Sequence, residues 1–115
     1  MVSKGNLREP VIEMGAEGGK GRLDLDKLAG IKVNPSNVGL YAHARLEPGA
    51  TVGYHVHHNE CELYYILSGK GLYSDNGIMR GVYEGDVTYT PSGEGHSLEN
   101  IGDDVLEFMA LIVKD

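Results

Sequence analysis

Histidine and carboxylate residues gather in one short segment of the chain. His55 and His57 are two residues apart in a predicted strand, so both imidazoles leave the same face, with Cα atoms about 6–7 Å apart. Metal–nitrogen bonds are about 2.0–2.1 Å long, so two convergent imidazoles can share one ion. Glu62 follows a polar break, and it returns its carboxylate to the same ion if that break reverses the chain. The segment therefore indicates a metal site.

A third histidine, His96, opens a strand after the glycine-rich loop 91–95. It can meet His55 only through tertiary folding, and it would then close the site from the other side. Three imidazoles and one carboxylate suit one divalent ion per chain: manganese, iron, nickel, zinc or cobalt. Such a set leaves about two positions of an octahedron open to water or substrate, and open positions distinguish a reactive site from a closed structural one.

The elements that must position these side chains are short strands. From residue 38 onward, runs rich in Val, Ile, Tyr and Thr alternate with Gly-, Pro- and Asn-containing breaks, a pattern typical of an all-β sandwich or barrel. The predicted strands cover residues 38–46, 52–56, 63–67, 71–74, 78–83, 86–90, 96–100 and 105–113. Residues 1–37 form an N-terminal arm with weak signals, in which 23–30 fits either strand alternation or a short helical turn ended by Gly30.

The length, the net charge, the apolar content and the single cysteine limit the classes of function that we expect. The chain has 115 residues, which allows one domain. Ten Lys and Arg face 17 Asp and Glu, for a net charge of −7, so no nucleic-acid groove is expected. No apolar run approaches the roughly 20 residues that cross a bilayer, and the N-terminus lacks the apolar core of a secretory signal. Cys61 is the only cysteine, which excludes an internal disulfide and favours a cytoplasmic location.

Two motifs make the chain resemble a small single-domain member of the cupin superfamily. The first, G-x5-H-x-H-x4-E-x6-G, is GATVGYHVHHNECELYYILSG at 49–69, and the second, G-x5-P-x-G-x2-H-x3-N, is GDVTYTPSGEGHSLEN at 85–100. Every fixed position is matched. The resemblance implies an all-β jelly-roll barrel (double-stranded β-helix) over 38–115, with His55, His57, Glu62 and His96 as metal ligands.

Two neighbours compete with Glu62 for the carboxylate position. Counting back from Gly69 selects Glu62, whereas Cys61 stands where a three-residue variant of the motif has its glutamate, and Glu60 is adjacent. A thiolate at Cys61 could bind metal. His58 faces away from His57 in a strand and is expected to be solvated.

Tyr64 is the candidate catalytic residue. It shares the parity of Glu62, so it should line the barrel interior. There its hydroxyl could donate to a substrate oxygen, or its ring could simply fill the barrel. On strand 38–46, the small apolar residues Ala42 and Ala44 favour an interior face, which would turn His43 and Arg45 outward.

The resemblance leaves the reaction open, because cupins include dioxygenases, decarboxylases, isomerases, lyases and binding modules. One interpretation is a metalloenzyme acting on a small oxygen-rich or carboxylated organic molecule. The other is a non-catalytic protein that binds a sugar or an acid through the same ion. The expected partners are a small molecule and a second copy of the chain, because small cupin barrels commonly form homodimers, with residues 1–37 as a candidate pairing element. No nucleic acid or membrane partner is expected.

Overall fold

The computed structural model describes residues 1–28 and 35–115, and nearly all regular structure in them is β. Two short 3₁₀ turns lie at Gly5–Leu7 and Ala16–Gly18. The ten strands, in chain order, are β1 Val11–Met14, β2 Arg22–Lys27, β3 Val38–Leu46, β4 Thr51–Val56, β5 Glu60–Ser68, β6 Lys70–Asp75, β7 Ile78–Tyr83, β8 Val87–Thr90, β9 Gly95–Asn100 and β10 Leu106–Lys114. Every strand predicted beyond residue 38 is confirmed, and β3 and β7 have the predicted bounds. Within the described residues, no helix is long and apolar enough to cross a membrane.

The strands form two antiparallel sheets. The six-stranded sheet has the order β1-β2-β3-β10-β5-β8, and the four-stranded sheet has the order β4-β9-β6-β7. Side chains from both sheets contribute to one hydrophobic core, which includes Phe108 of the larger sheet and Leu98 of the smaller. This arrangement confirms the predicted all-β jelly-roll class.

Strand β3 shows how the alternation of residue types builds the core. Its small residues Ala42 and Ala44 are completely buried, while Arg45 is exposed and His43 lies on the same outer face. Ala42 and Ala44 pair with Ala110 and Phe108 of β10. The outward orientation expected for His43 and Arg45 is therefore confirmed.

The N-terminal arm enters the larger sheet through β2. Leu23 and Leu25 are buried, and Leu25 pairs with Ala44 of β3, so strand alternation is the correct interpretation of this segment. The helical-turn alternative is wrong up to Lys27, and its proposed end at Gly30 lies outside the described residues. Whether the arm also pairs between copies of the chain stays a prediction.

Two asparagines stabilise the ends of strands, one within a hairpin turn and one through its buried side chain. Asn76 and Gly77 join β6 to β7 with positive φ angles of 50° and 96°, as the Asn-Gly hairpin signal predicts. Asn100, at the end of β9, is 2% exposed, and its amide donates to the carbonyls of Leu46 and Asp104 at 2.9 and 2.8 Å. This side chain therefore ties the end of β3 to the loop between β9 and β10.

Candidate metal centre

Four side chains from three strands converge between the sheets. His55 lies on β4 and His57 directly after its last residue, Glu62 lies on β5 and His96 on β9, and their ligand atoms all lie within 4.8 Å of one another. The smaller sheet supplies the imidazoles, because His55 stands opposite His96 in the β4–β9 register. The larger sheet supplies the carboxylate. The cluster can therefore hold one metal ion, with ligands from both halves of the sandwich.

The distances among the ligand atoms suit one six-coordinate ion. His96 Nε2 lies 3.0 Å from His57 Nε2 and 3.1 Å from His55 Nε2. Glu62 Oε1 lies 3.0, 2.9 and 3.9 Å from the Nε2 atoms of His57, His96 and His55. Ligands bound at about 2.1 Å and at right angles are about 3.0 Å apart, whereas a tetrahedral arrangement separates them by about 3.4 Å. Four of these spacings match the octahedral value.

The outer nitrogen of each imidazole is held by a second group. His55 Nδ1 donates to the Gly53 carbonyl at 2.7 Å, and His57 Nδ1 donates to the Glu60 carboxylate at 2.7 Å. A neutral imidazole that donates from Nδ1 presents a lone pair at Nε2. Both rings therefore turn an acceptor atom toward the centre of the cluster.

The third imidazole is held by two hydroxyl groups. His96 Nδ1 lies 2.9 Å from the Tyr73 hydroxyl and 3.0 Å from the Thr90 hydroxyl, which are themselves 2.8 Å apart. Partners of this kind fix the orientation of metal-binding histidines and adjust their basicity. His96 is 1% exposed, so its ring cannot reorient without disturbing the core.

This donor set fits a divalent cation. Acceptor lone pairs and a carboxylate oxygen about 3 Å apart repel one another unless a cation or proton lies between them. Bulk water cannot relieve that repulsion, because His57, Glu62 and His96 are buried. Nitrogen and oxygen donors of this type suit the borderline-hard transition metals.

The protonation of the cluster also suits a metal. The pKa of Glu62 is lowered to about 2: burial raises it, but hydrogen bonds with His55 and His96 lower it by more. Burial lowers the pKa of His96 despite its contact with Glu62. Burial also lowers the pKa of His55, but Glu62, the Gly53 carbonyl and the charge of Glu17 raise it by more. The ionised Glu62 and the neutral His96 are in the forms that bind metal, whereas His55, with its raised pKa, must release its proton to bind.

A cavity of about 370 Å³ opens beside three of the four candidate ligands, His55, His57 and Glu62. This volume is near the lower end of ligand pockets, so it suits a small guest. His55, His57, Glu62 and Tyr64 line one side, and the arm adds Glu13, Glu17 and Lys27. Much of the remaining wall is apolar. Ions and small polar molecules can therefore reach His55, His57 and Glu62 through this cavity.

The register of β5 separates Glu62 from its two competitors. Glu62 is 4% exposed and points into the cluster, whereas Cys61 pairs with Val113 on the outer face of the larger sheet. Glu60 bonds to the outer nitrogen of His57. His58 is exposed, as expected. Of the three candidates on β5, the structure brings only Glu62 to the cluster.

Tyr64 faces the barrel interior, as its position two residues after Glu62 predicts. It lines the cavity, and its ring stacks on His96 with centroids 5.0 Å apart. Burial raises the pKa of Tyr64 well above its ordinary value, and the charges of Glu62 and Glu17 add to the effect. The phenol therefore stays protonated and can donate a hydrogen bond. A catalytic role for Tyr64 stays a prediction.

Sequence reasoning missed two groups of residues around the site. Tyr73 and Thr90, which hold His96, belong to strands whose partners could not be assigned from the sequence. Glu13, Glu17 and Lys27 belong to the arm, where no element was assigned with certainty. One available signal was the alternation that places Lys27 on the same face as Leu23 and Leu25.

Comparison with known proteins decides the family. Residues 42–113 match the sequence family described as Cupin domain. The chain belongs to the cupin family. It is 44% identical over 113 residues to the oxalate-binding protein of Thermotoga maritima, covering 98% of this chain and 93% of that protein. A crystal structure of a predicted oxalate decarboxylase from Thermotoga maritima superimposes with a TM-score of 0.93 at 39% identity, covering 100% of both chains.

A second relative is much longer than this cupin. The oxalate decarboxylase of Bacillus subtilis is 39% identical over 75 residues, which is 61% of this chain and 20% of that protein. This cupin therefore matches about a fifth of the length of that enzyme.

Proposed function

We propose that this cupin holds one divalent transition-metal ion through His55, His57, Glu62 and His96, and that a small carboxylic acid binds beside it. The observation that carries the proposal is the convergence of the inner atoms of all four side chains within 4.8 Å, with three of the four lining a cavity. The ion supplies positive charge and open coordination positions for an oxygen ligand. Nitrogen and oxygen donors of this kind suit manganese, iron, nickel, zinc or cobalt.

The small volume of the cavity and its lining support the choice of ligand. About 370 Å³ accommodates an acid of a few heavy atoms, and the protonated Tyr64 can donate to one of its oxygens. The relative that matches nearly the whole chain is named an oxalate-binding protein. Oxalate is therefore the first ligand to test.

Metal analysis and calorimetry test the proposal. Purified protein should contain about one transition-metal ion per chain, and the loaded protein should bind oxalate, because the ligand set leaves coordination positions open. His57→Ala should lose most of the metal and the oxalate binding. Cys61→Ser is the matched control, because Cys61 faces outward in the next strand. Equal metal content in the wild type and His57→Ala would refute the ligand assignment.

A second candidate function is decarboxylation of the bound acid. Its support is the set of titratable side chains beside the ligands, namely Glu13, Glu17, Lys27 and Tyr64. Singly protonated oxalate would lose carbon dioxide as its C–C bond breaks, and the remaining carbon would keep the electron pair and take up a proton, giving formate. No oxidant is consumed. Formate and carbon dioxide released in equal amounts by the loaded protein would establish this activity, and oxalate binding without either product would leave a binding protein.

We also propose that two copies pair through the outer face of the larger sheet. Cross-strand neighbours there form two apolar rows: Tyr41, Leu111, Leu63 and Tyr89, then Met109, Tyr65 and Val87. Tyr41, Tyr65 and Tyr89 are each 45–56% exposed. At about 150–250 Å² per aromatic side chain, the face would bury roughly 500 Å² per copy, near the lower limit for a specific interface.

Sedimentation equilibrium tests the pairing. The wild type should sediment as a dimer, and Tyr65→Asp should sediment as a monomer that still binds metal, because Tyr65 faces away from the site. A dimer that persists in this variant would shift the interface elsewhere, with the arm 1–37 as the next candidate. A monomeric wild type would refute the pairing.

A further inference from the structure

Glu17 has an unusual backbone for its residue type. It lies in the turn Ala16–Gly18 with φ 52° and ψ 35°, the left-handed region. Among the described residues, the only other non-glycine positions with positive φ are Asn59 and Asn76, and asparagine tolerates this region well. A glutamate held in this conformation carries backbone strain, and such strain is concentrated at functional sites.

Tight backbone packing on β4 holds the turn in place. A Cβ atom on Gly53 would lie 2.2 Å from the Glu17 carbonyl oxygen, and one on Gly19 would lie 2.3 Å from the Thr51 carbonyl oxygen. The Thr51 amide donates to the Lys20 carbonyl at 2.7 Å. Gly53 also accepts the hydrogen bond from the ligand His55. The arm therefore packs tightly against β4, the strand that carries His55 and ends just before His57.

The Glu17 side chain lines the same cavity as His55, His57 and Glu62, and Glu13 also lines it. Among the described residues, Glu17 makes no ion pair within 4.0 Å. Its carboxylate is therefore available to a guest molecule.

The charge around the cavity is unbalanced. Glu60 is bonded to His57, and Glu62 belongs to the metal cluster. The arm then contributes two carboxylates, Glu13 and Glu17, and one ammonium group, Lys27. An acid bound beside the metal therefore shares the cavity with excess negative charge. A carboxylate wall accepts a hydrogen bond from a hydroxyl group and repels a second carboxylate.

We propose that Glu17 is a specificity-determining residue that faces the end of the bound acid away from the metal. There it favours a hydroxyl group or a protonated carboxyl over an ionised carboxylate. The inference rests on the proposed function and deepens it, because it names the preferred ligand class as singly charged small acids. The strained turn serves to hold the Glu17 carboxylate at this wall.

Calorimetry with two acids of similar size tests the inference. At neutral pH oxalate carries two charges, while glycolate carries one charge and a hydroxyl group. In the metal-loaded protein, Glu17→Gln should shift the affinity ratio toward oxalate by about fivefold or more, because the repulsive charge is removed. Glu17→Gly should give the same shift and melt at or above the wild-type temperature, because glycine accepts the left-handed backbone.

Two variants with the same charge change serve as controls for Glu17→Gln. Glu84→Gln makes the same charge change outside the cavity lining and should leave the ratio unchanged, and Glu13→Gln should shift it less than Glu17→Gln. An unchanged ratio in both Glu17 variants, or equal changes for both acids, would overturn the inference while leaving the proposed function intact. If neither the wild type nor Glu17→Gln binds either acid, both the proposed function and the inference fail.

Discussion

The hydroxyl pair behind His96 gives the sharpest test of how the fold prepares the metal centre. Tyr73 and Thr90 both contact the outer nitrogen of this imidazole, at 2.9 and 3.0 Å. Tyr73→Phe removes one of the two hydroxyls and leaves the ring volume nearly unchanged. Thr90 then remains the partner of His96 Nδ1, so no buried nitrogen loses all of its hydrogen bonds.

The expected losses of stability and of metal affinity follow from the contacts that the variant lacks. Tyr73 gives up its contacts with Thr90 and His96, and a buried hydrogen bond contributes about 1 kcal/mol net. The free energy of unfolding should therefore fall by about 1–2 kcal/mol, which lowers the melting temperature by about 4–8 °C. Metal affinity should fall about tenfold, the lower end of the effect of losing an outer partner, because Thr90 still orients the ring.

A double-mutant cycle measures how the two hydroxyls cooperate. Thr90→Val alone should resemble Tyr73→Phe, and the double variant should lose about 100-fold in metal affinity, because His96 Nδ1 then has neither partner. Competition with a chromogenic chelator gives these affinities. Tyr83→Phe is the control, because it removes the same hydroxyl from an exposed tyrosine on β7. Wild-type metal affinity in the double variant would refute the claim that these hydroxyls orient His96.

Three further predictions concern the barrel and its arm. Asn100→Ala removes three hydrogen bonds of a buried side chain and should lower the free energy of unfolding by about 3 kcal/mol in chemical denaturation, while metal content per folded chain stays unchanged. Hydrogen bonds from Arg8 lower the pKa of Asp26, so this pair stabilises the fold above the ordinary Asp pKa and the benefit is lost as the pH falls through the lowered value. Arg8→Gln should therefore lower the melting temperature more at pH 6 than at pH 3, and an equal loss at both would contradict this. Gly53→Ala would place a Cβ atom 2.2 Å from the Glu17 carbonyl, so it should detach the arm's turn, detectable as faster amide exchange there.

The strands could be predicted because their signals are local, and the four candidate ligands because two motifs mark their positions. Alternation on β3 fixes which residues face inward, since the side-chain period of a strand is two. The motif spacing fixes the register of β5 relative to Gly69, which is why Glu62 could be separated from Cys61. Pro91 and Gly93 predict the loop before His96, and Gly93 has the positive φ angle that such a turn uses.

The support behind the ligands could not be predicted, because it depends on pairings between distant strands. Tyr73 reaches His96 only because β6 lies beside β9, and nothing within either strand encodes that neighbour. The place of Glu17 depends on a backbone contact between the arm and Gly53, where two glycines allow a close approach. Such contacts leave no periodic pattern in the sequence.

Metal binding would also affect how much of the protein a cell contains. Because Glu62 comes from one sheet and the three histidines from the other, a bound ion fastens the two halves of the sandwich together. Free metal at about 1,000 times the dissociation constant would add about 4 kcal/mol to the folded state. A cell short of that metal would then lose the protein itself to unfolding and proteolysis, in addition to its occupied sites.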